Sequence, residues 1–151
     1  MTTLASIEGF LAAKTLAIAG VSRSGKGFGN LVLKDLTGKG YEMYPVHPEV
    51  DEVGGVRCFR SISDLPKEVG GLVLVVPPNQ TEKLVRQAKE AGINRVWMQQ
   101  GAESTEAIRY CEENDIDAVN GECIMMFAQP AGVHRFHRWL NGVFGKLPSE
   151  N

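Results

Sequence analysis

A chain of 151 residues with 16 Lys and Arg against 18 Asp and Glu has a formal net charge of −2 and a pI near 5.9, a balance that leaves no electrostatic footprint for nucleic acid or an anionic membrane surface. Its length and ordinary hydrophobic content suit one domain around one core, burying about 68–70% of the surface exposed by the unfolded chain without disulfides or metals. Cys58, Cys111 and Cys123 are odd in number and share no CxxC spacing, which suits a reducing compartment and argues against structural zinc; with neither a secretory leader pattern nor an apolar run of about 18 residues, a cytoplasmic location is expected.

The spacing of Leu4, Ile7, Phe10 and Leu11 predicts a short covering helix over 4–13, with Ser6 in its cap region. Residues 16–19 (LAIA) are continuously apolar, as in a strand buried on both faces. They lead into Gly20, Val21, Ser22, Arg23, Ser24, Gly25, Lys26, Gly27, Phe28, Gly29 and Asn30, where four glycines let the backbone turn and approach a ligand without Cβ clashes. A helix opening near Phe28, with Leu31, Val32, Leu33 and Leu36 inward, would aim unpaired N–H groups and its positive end at whatever lies over this loop. Arg23 and Lys26 add positive charge, and no acid occurs between Glu8 and Asp35. The pattern is that of a phosphate-binding loop. As a Walker A loop it has Gly27 where Ser or Thr should hold Mg²⁺, and as GxGxxG it has Ser22 at the second glycine. A glycine-rich turn with no ligand is the structural alternative.

The helix is stopped by Gly38 and Gly40, and 41–46 reads as the second strand. A right-handed crossover delivers its tip, His47-Pro48-Glu49, beside the loop. Glu49, about twenty residues past the loop, either accepts from a ribose hydroxyl in an NAD-like manner or is a surface acid at a proline turn; His47 is a ligand contact or a turn residue. Residues 50–61, with Gly54-Gly55, predict a turn and a short extended segment, and 63–66 a single turn. The run GLVLVV at 71–76 lacks alternation and belongs at the centre of a sheet. Pro77-Pro78 end it, as a stiff edge for a flat group or a tight turn before a helix capped by Asn79 or Thr81.

That helix is predicted over 81–91, with Leu84, Val85 and Ala88 inward and Gly92 as its stop. A fourth strand over 95–98 ends in Gln99-Gln100-Gly101, amides that orient a polar ligand or cap the next helix. A helix from Ser104 or Thr105 to about Asn114 and a fifth strand over 116–119, with its tip at Asn120-Gly121-Glu122-Cys123, complete the alternation. Val133, Phe136, Trp139, Leu140, Val143, Phe144 and Leu147 then predict an amphipathic helix that packs on the domain or on a partner subunit, giving a homo-oligomer in the second case. His134 and His137 lack further metal ligands, and Cys123 lacks the histidine and orienting acid of a nucleophile, so neither a metal site nor a catalytic group is assigned.

Taken in order, Gly20-Val21-Ser22 with Gly29-Asn30, Tyr44-Pro45-Val46-His47-Pro48, Ser61-Ile62-Ser63-Asp64-Leu65-Pro66, Val75-Val76-Pro77-Pro78 and Trp97-Met98-Gln99-Gln100-Gly101 resemble the small CoA-binding domain family, itself similar to the N-terminal domain of the succinyl-CoA synthetase α subunit. The resemblance spans about 4–123. It implies an α/β, Rossmann-like, doubly wound and mainly parallel five-stranded sheet with flanking helices over 1–128, followed by the extra helix and tail over 129–151. It also implies CoA or an acyl-CoA along the carboxyl ends of the strands. The pyrophosphate would lie at Ser22, Arg23, Ser24 and Gly25, the adenine near Val76 and Pro77, and Gln99 with Gln100 toward the pantetheine.

The family usually carries Asn-Pro-Lys where this chain has His47-Pro48-Glu49, and that lysine is placed to neutralise the 3′-phosphate of CoA. Arg23, Lys26 or a protonated His47 are the candidates to compensate. The synthetase's catalytic histidine lies in a further domain, so ligase chemistry is not implied. The expectation is a non-catalytic module that binds CoA or an acyl-CoA. An NAD(H)-binding oxidoreductase or redox-sensing module, suggested by Glu49, is the alternative, and an interaction protein acting through the terminal helix is a third.

Overall fold

In the computed structural model, which describes residues 2–128, the apolar runs become five strands in the order β2-β1-β5-β6-β7. These are β1 (Thr15–Ala19), β2 (Glu42–Val46), β5 (Gly71–Leu74), β6 (Arg95–Gln99) and β7 (Asp117–Glu122), all paired in parallel as the sequence implies. Between β2 and β5 the chain adds an antiparallel hairpin, β3 (Glu52–Val53) and β4 (Val56–Arg57), and a 3-10 turn at Ile62–Asp64. The helices are α1 (Leu4–Ala12), α2 (Phe28–Gly38), α3 (Pro78–Glu90), α4 (Thr105–Glu113) and the short α5 (Ile124–Phe127). The terminal helix expected over 133–147, with His134 and His137, lies outside the described residues.

Alternation along each strand divides the core between two faces of the sheet. Leu16, Ile18, Val73, Trp97 and Val119 join Ile7 and Phe10 of α1, Val32 and Leu36 of α2 and Phe127 of α5. Ala17, Leu72, Leu74, Val96 and Met98 join Val85 and Ala88 of α3 and Ala107 and Cys111 of α4. Helices therefore cover both faces, and β5, buried at every residue, takes the central place its unbroken apolar run required. Burying one large apolar side chain stabilises by about 1.5–3 kcal/mol, so these two layers supply most of the favourable free energy.

Several boundaries move for identifiable reasons. Pro78 occupies the first position of α3, where its missing N–H would have had no helical partner, so the helix starts ahead of Thr81 and neither Asn79 nor Thr81 caps it. Thr81 is buried instead and donates its hydroxyl to the Ala102 carbonyl, tying α3 to the loop after β6. Thr3 caps α1 by accepting from the Ser6 N–H at 3.0 Å, while the Ser6 hydroxyl reaches Asp117 Oδ1 at 2.5 Å. Leu31, expected inward, is 52% exposed because the buried stripe of α2 follows Gly29, Val32, Leu33 and Leu36, leaving it off that line.

The order of strands positions the site. From β1 the chain crosses to β2 on one side, and from β5 it proceeds to β6 and β7 on the other, so the direction reverses between β1 and β5. Ligands of open α/β sheets bind in the crevice outside the carboxyl ends at such a reversal. The register aligns Ala19 with Val46 and with Leu74, bringing the ends of β2, β1 and β5 level with one another.

Candidate functional site

Over those level ends opens a cleft of about 530 Å³. Gly20 and Val21 enter it from β1, His47 and Pro48 from β2 and Val76 from beyond β5. Arg60, Ser61 and Ile62 reach it because Phe59 bridges Val46 in parallel and exchanges backbone hydrogen bonds of 2.8 Å with His47 and Pro45, which lays the segment after β4 alongside the tip of β2. One face of α3 closes it with Gln80, Lys83, Leu84 and Gln87. The lining contains no aspartate or glutamate.

The glycine loop meets this cleft at its β1 end. Gly20 has φ +114°, and a Cβ there would lie 1.9 Å from the Val75 carbonyl oxygen; one on Gly29 would lie 2.2 Å from the carbonyl oxygen of Gly20. The end of β1, the chain leaving β5 and the first turn of α2 thus meet at a distance only glycine permits. Asn30, buried in that first turn, clamps the loop by accepting from the Ser22 N–H at 2.8 Å and donating to the Ser22 carbonyl at 3.1 Å. The Ser22 hydroxyl donates to the Lys26 carbonyl and lies 3.0 Å from the Ser24 hydroxyl, which accepts from the Lys26 N–H at 3.2 Å.

The serines therefore shape the loop from within, while Gly27 gives α2 no side-chain cap. The first-turn N–H groups of α2 are left without helical acceptors beside the cleft, an anion-binding arrangement. Asn30→Ala is expected to lower stability by about 1–3 kcal/mol, since the Ser22 backbone loses both partners at a half-buried site. A urea melt checks this, and an unchanged midpoint would show that the clamp is dispensable.

Charge at the mouth is arranged differently from the expectation of two free cations. Arg23 pairs with Glu49 across the gap between the loop and the tip of β2, Nη2 to Oε1 at 3.0 Å, with both side chains more than 60% exposed. Such an exposed pair contributes only ~1 kcal/mol or less, so an incoming anion can displace the carboxylate from Arg23 at small expense. The His47 Nδ1 accepts from the Glu49 N–H at 3.0 Å, which puts the proton of the neutral ring on Nε2.

Of the expected site residues, Gly20, Val21, His47, Pro48 and Val76 line the cleft, and the rest, with residues 22–30 of the loop and the start of α2 among them, lie outside its lining. Pro77 and Pro78 are exposed and serve as the cap and first residue of α3, outside the lining that Val76 joins. Gln99 is 1% exposed, its amide donating to Cys123 Sγ at 2.9 Å and accepting from the Ile124 N–H at 3.0 Å, so it joins β6 to the start of α5. Gln100 is exposed at the strand tip and donates to the Gly121 carbonyl at 3.2 Å. Cys58 and Cys111 are buried, and burial pushes the Cys111 thiol up to about 11.

Sequence reasoning missed Arg60 and the polar face of α3. A signal for the latter was present: Gln80, Lys83 and Gln87 recur at three and four, and in a parallel sheet the helix after a strand begins at the same end as the ligand crevice.

The fold agrees with comparisons to known proteins. A family model described as a CoA binding domain matches residues 14–129. The ADP-forming acetate–CoA ligase of Methanocaldococcus jannaschii is 26% identical over 136 residues, which take in 89% of this chain and 19% of the ligase. The chain spans about a fifth or less of the length of the curated ligases it matches first. Among solved structures, a conserved hypothetical protein from Pyrococcus furiosus aligns with a TM-score of 0.71 at 42% identity, covering 74% of this chain and 97% of its own. A hypothetical protein from Pyrococcus horikoshii OT3 aligns with a TM-score of 0.73 at 29% identity, covering 93% and 96%.

Proposed function

We infer that this chain, which belongs to the CoA-binding domain family, holds CoA or an acyl-CoA in the cleft at the carboxyl ends of β1, β2 and β5 and acts as a binding module without chemistry of its own. The observation that carries the reading is the position of the cleft: it lies at the reversal of strand order, free of carboxylates in its lining, against an uncapped helix start held close by Gly20 and Gly29. Linked phosphoryl groups suit that corner, because backbone N–H groups and the helix dipole both favour negative charge there. Arg23 joins them by exchanging Glu49 for a phosphate oxygen, and Val76 supplies an apolar surface for the adenine.

The non-catalytic part of the reading rests on what faces the cleft. Its lining offers neither a thiol nor a carboxylate, and His47 has its Nδ1 engaged by the chain's own backbone. Acyl transfer or proton abstraction needs a nucleophile activated by a base; the one hydroxyl of the lining, Ser61, meets Asp64 Oδ2 at 3.0 Å in a solvent-exposed hydrogen bond with no histidine between them, and this wall supports anion binding better.

Titration calorimetry with CoA, acetyl-CoA, dephospho-CoA and NAD tests the reading. The expected result is saturable binding of CoA, tighter than that of NAD. At a hundredfold excess over Kd the ligand adds about 2.7 kcal/mol of stability, which raises Tm by about 5–10 °C in a domain of this size. Absence of both heat and thermal shift with every CoA species would overturn the proposal, and NAD binding more tightly than CoA would replace it with a dinucleotide site.

A further inference from the structure

Two cations that the glycine loop does not supply stand in the lining of the cleft. Arg60 and Lys83 both line it, the first beside the tip of β2 and the second from the second turn of α3. Arg60 is held in place: its Nε donates to Asp51 Oδ1 at 2.9 Å and its Nη1 to the Pro48 carbonyl at 3.2 Å, leaving Nη2 without a partner among the described residues. Lys83 has no carboxylate partner among the described residues, whereas Arg23, Lys39, Arg60 and Arg86 are all in ion pairs. Gln80 and Gln87 flank Lys83 on the same face of α3 and add neutral donors.

Resting on the CoA reading, we propose that Arg60 and Lys83 form a separate subsite for a phosphate monoester, the 3′-phosphate that distinguishes CoA from dephospho-CoA. Arg60 is the oriented element, a planar guanidinium already fixed on its Nε and Nη1 edge, and Lys83 is the mobile point charge that completes the neutralisation. The pyrophosphate and the monoester are thereby served from different elements, the first by the loop and the start of α2, the second by the segment after β4 and by α3. Glu49, engaged by Arg23, and Asp51, engaged by the Arg60 Nε at 2.9 Å, both lie outside the cleft lining, which holds no acidic residue.

The test measures Kd for CoA and for dephospho-CoA on the full chain and on Lys83→Gln and Arg60→Gln. The unaltered protein should prefer CoA by about tenfold or more, and Lys83→Gln should reduce that preference to about threefold or less, chiefly by weakening CoA. Arg60→Gln should act in the same direction. Lys83 is exposed, so its variant tests the charge without burdening the fold, and circular dichroism verifies this. Equal binding of the two ligands by the unaltered protein, or a preference that survives Lys83→Gln, refutes the subsite while the CoA reading stands. Failure of both ligands to bind refutes the two together.

Discussion

Gly20→Ala is expected to lower the unfolding free energy by about 2–6 kcal/mol, the sum of backbone strain at about 1–3 kcal/mol and overpacking of similar size. The substituted Cβ would fall 1.9 Å from the oxygen and 2.6 Å from the carbon of the Val75 carbonyl, at a φ of +114° that L-residues avoid. Both obstructing atoms are backbone, and Val75 is held by its own N–H to the Ala19 carbonyl at 2.9 Å, so no rotamer change relieves the contact. Gly25 supplies the control: its φ is +78°, but nothing lies within 4 Å of the position its Cβ would take. Gly25→Ala should therefore cost only about 1–2 kcal/mol, the conformational penalty alone.

At 2–4 °C per kcal/mol for a chain of this length, Tm should fall by about 10 °C for the first variant and by a few degrees for the second. Equal losses at the two positions would mean that the close approach of the β1 and β5 ends plays no part. The same substitution acts on function. Gly29 packs on the Gly20 carbonyl, so pushing Gly20 away displaces the start of α2, and CoA affinity should fall together with stability.

Trp97→Ala should cost about 3–5 kcal/mol, the usual loss when a fully buried large aromatic is truncated. Trp97 is at 0% exposure in the middle of the sheet, where Phe10 of α1 meets it edge-on at 5.4 Å and 63° and Phe127 of α5 lies at 6.1 Å and 54°. Its indole N–H donates to the Glu122 carbonyl at 3.0 Å, joining β6 to the end of β7. The residue thus holds two helices and two strands at once. A cycle combining Phe10→Ala and Trp97→Ala, read by urea denaturation, should show a coupling of about 0.5–1.5 kcal/mol, the value of an aromatic pair beyond buried area. Additive losses would mean that Phe10 and Trp97 stabilise the core independently. Trp97→Phe, which keeps a ring against Phe10 but removes the N–H donor, should fall between the alanine variant and the unaltered protein.

The sequence by itself determined the alternation of strand and helix, the central place of β5 and the close backbone approach at the glycine loop, because each depends on neighbours within a few residues. Continuous apolar runs require burial on both faces, and glycines between a strand and a helix mark a close backbone approach wherever the rest of the chain goes. Only the tertiary structure decided which side chains line the cleft. Gln99 reads as an exposed tip from its position at the end of β6, yet α5 folds over it from 25 residues away and takes up its amide. Arg23 and Glu49, far apart in sequence, become an ion pair through the β1–β2 crossover. Arg60 reaches the cleft through the single bridge of Phe59 to Val46, and Lys83 through the turn that places α3 at the end of β5. Periodicity is a local property, whereas a binding wall is assembled from chain segments brought together by strand order and register, which no short window of residues contains.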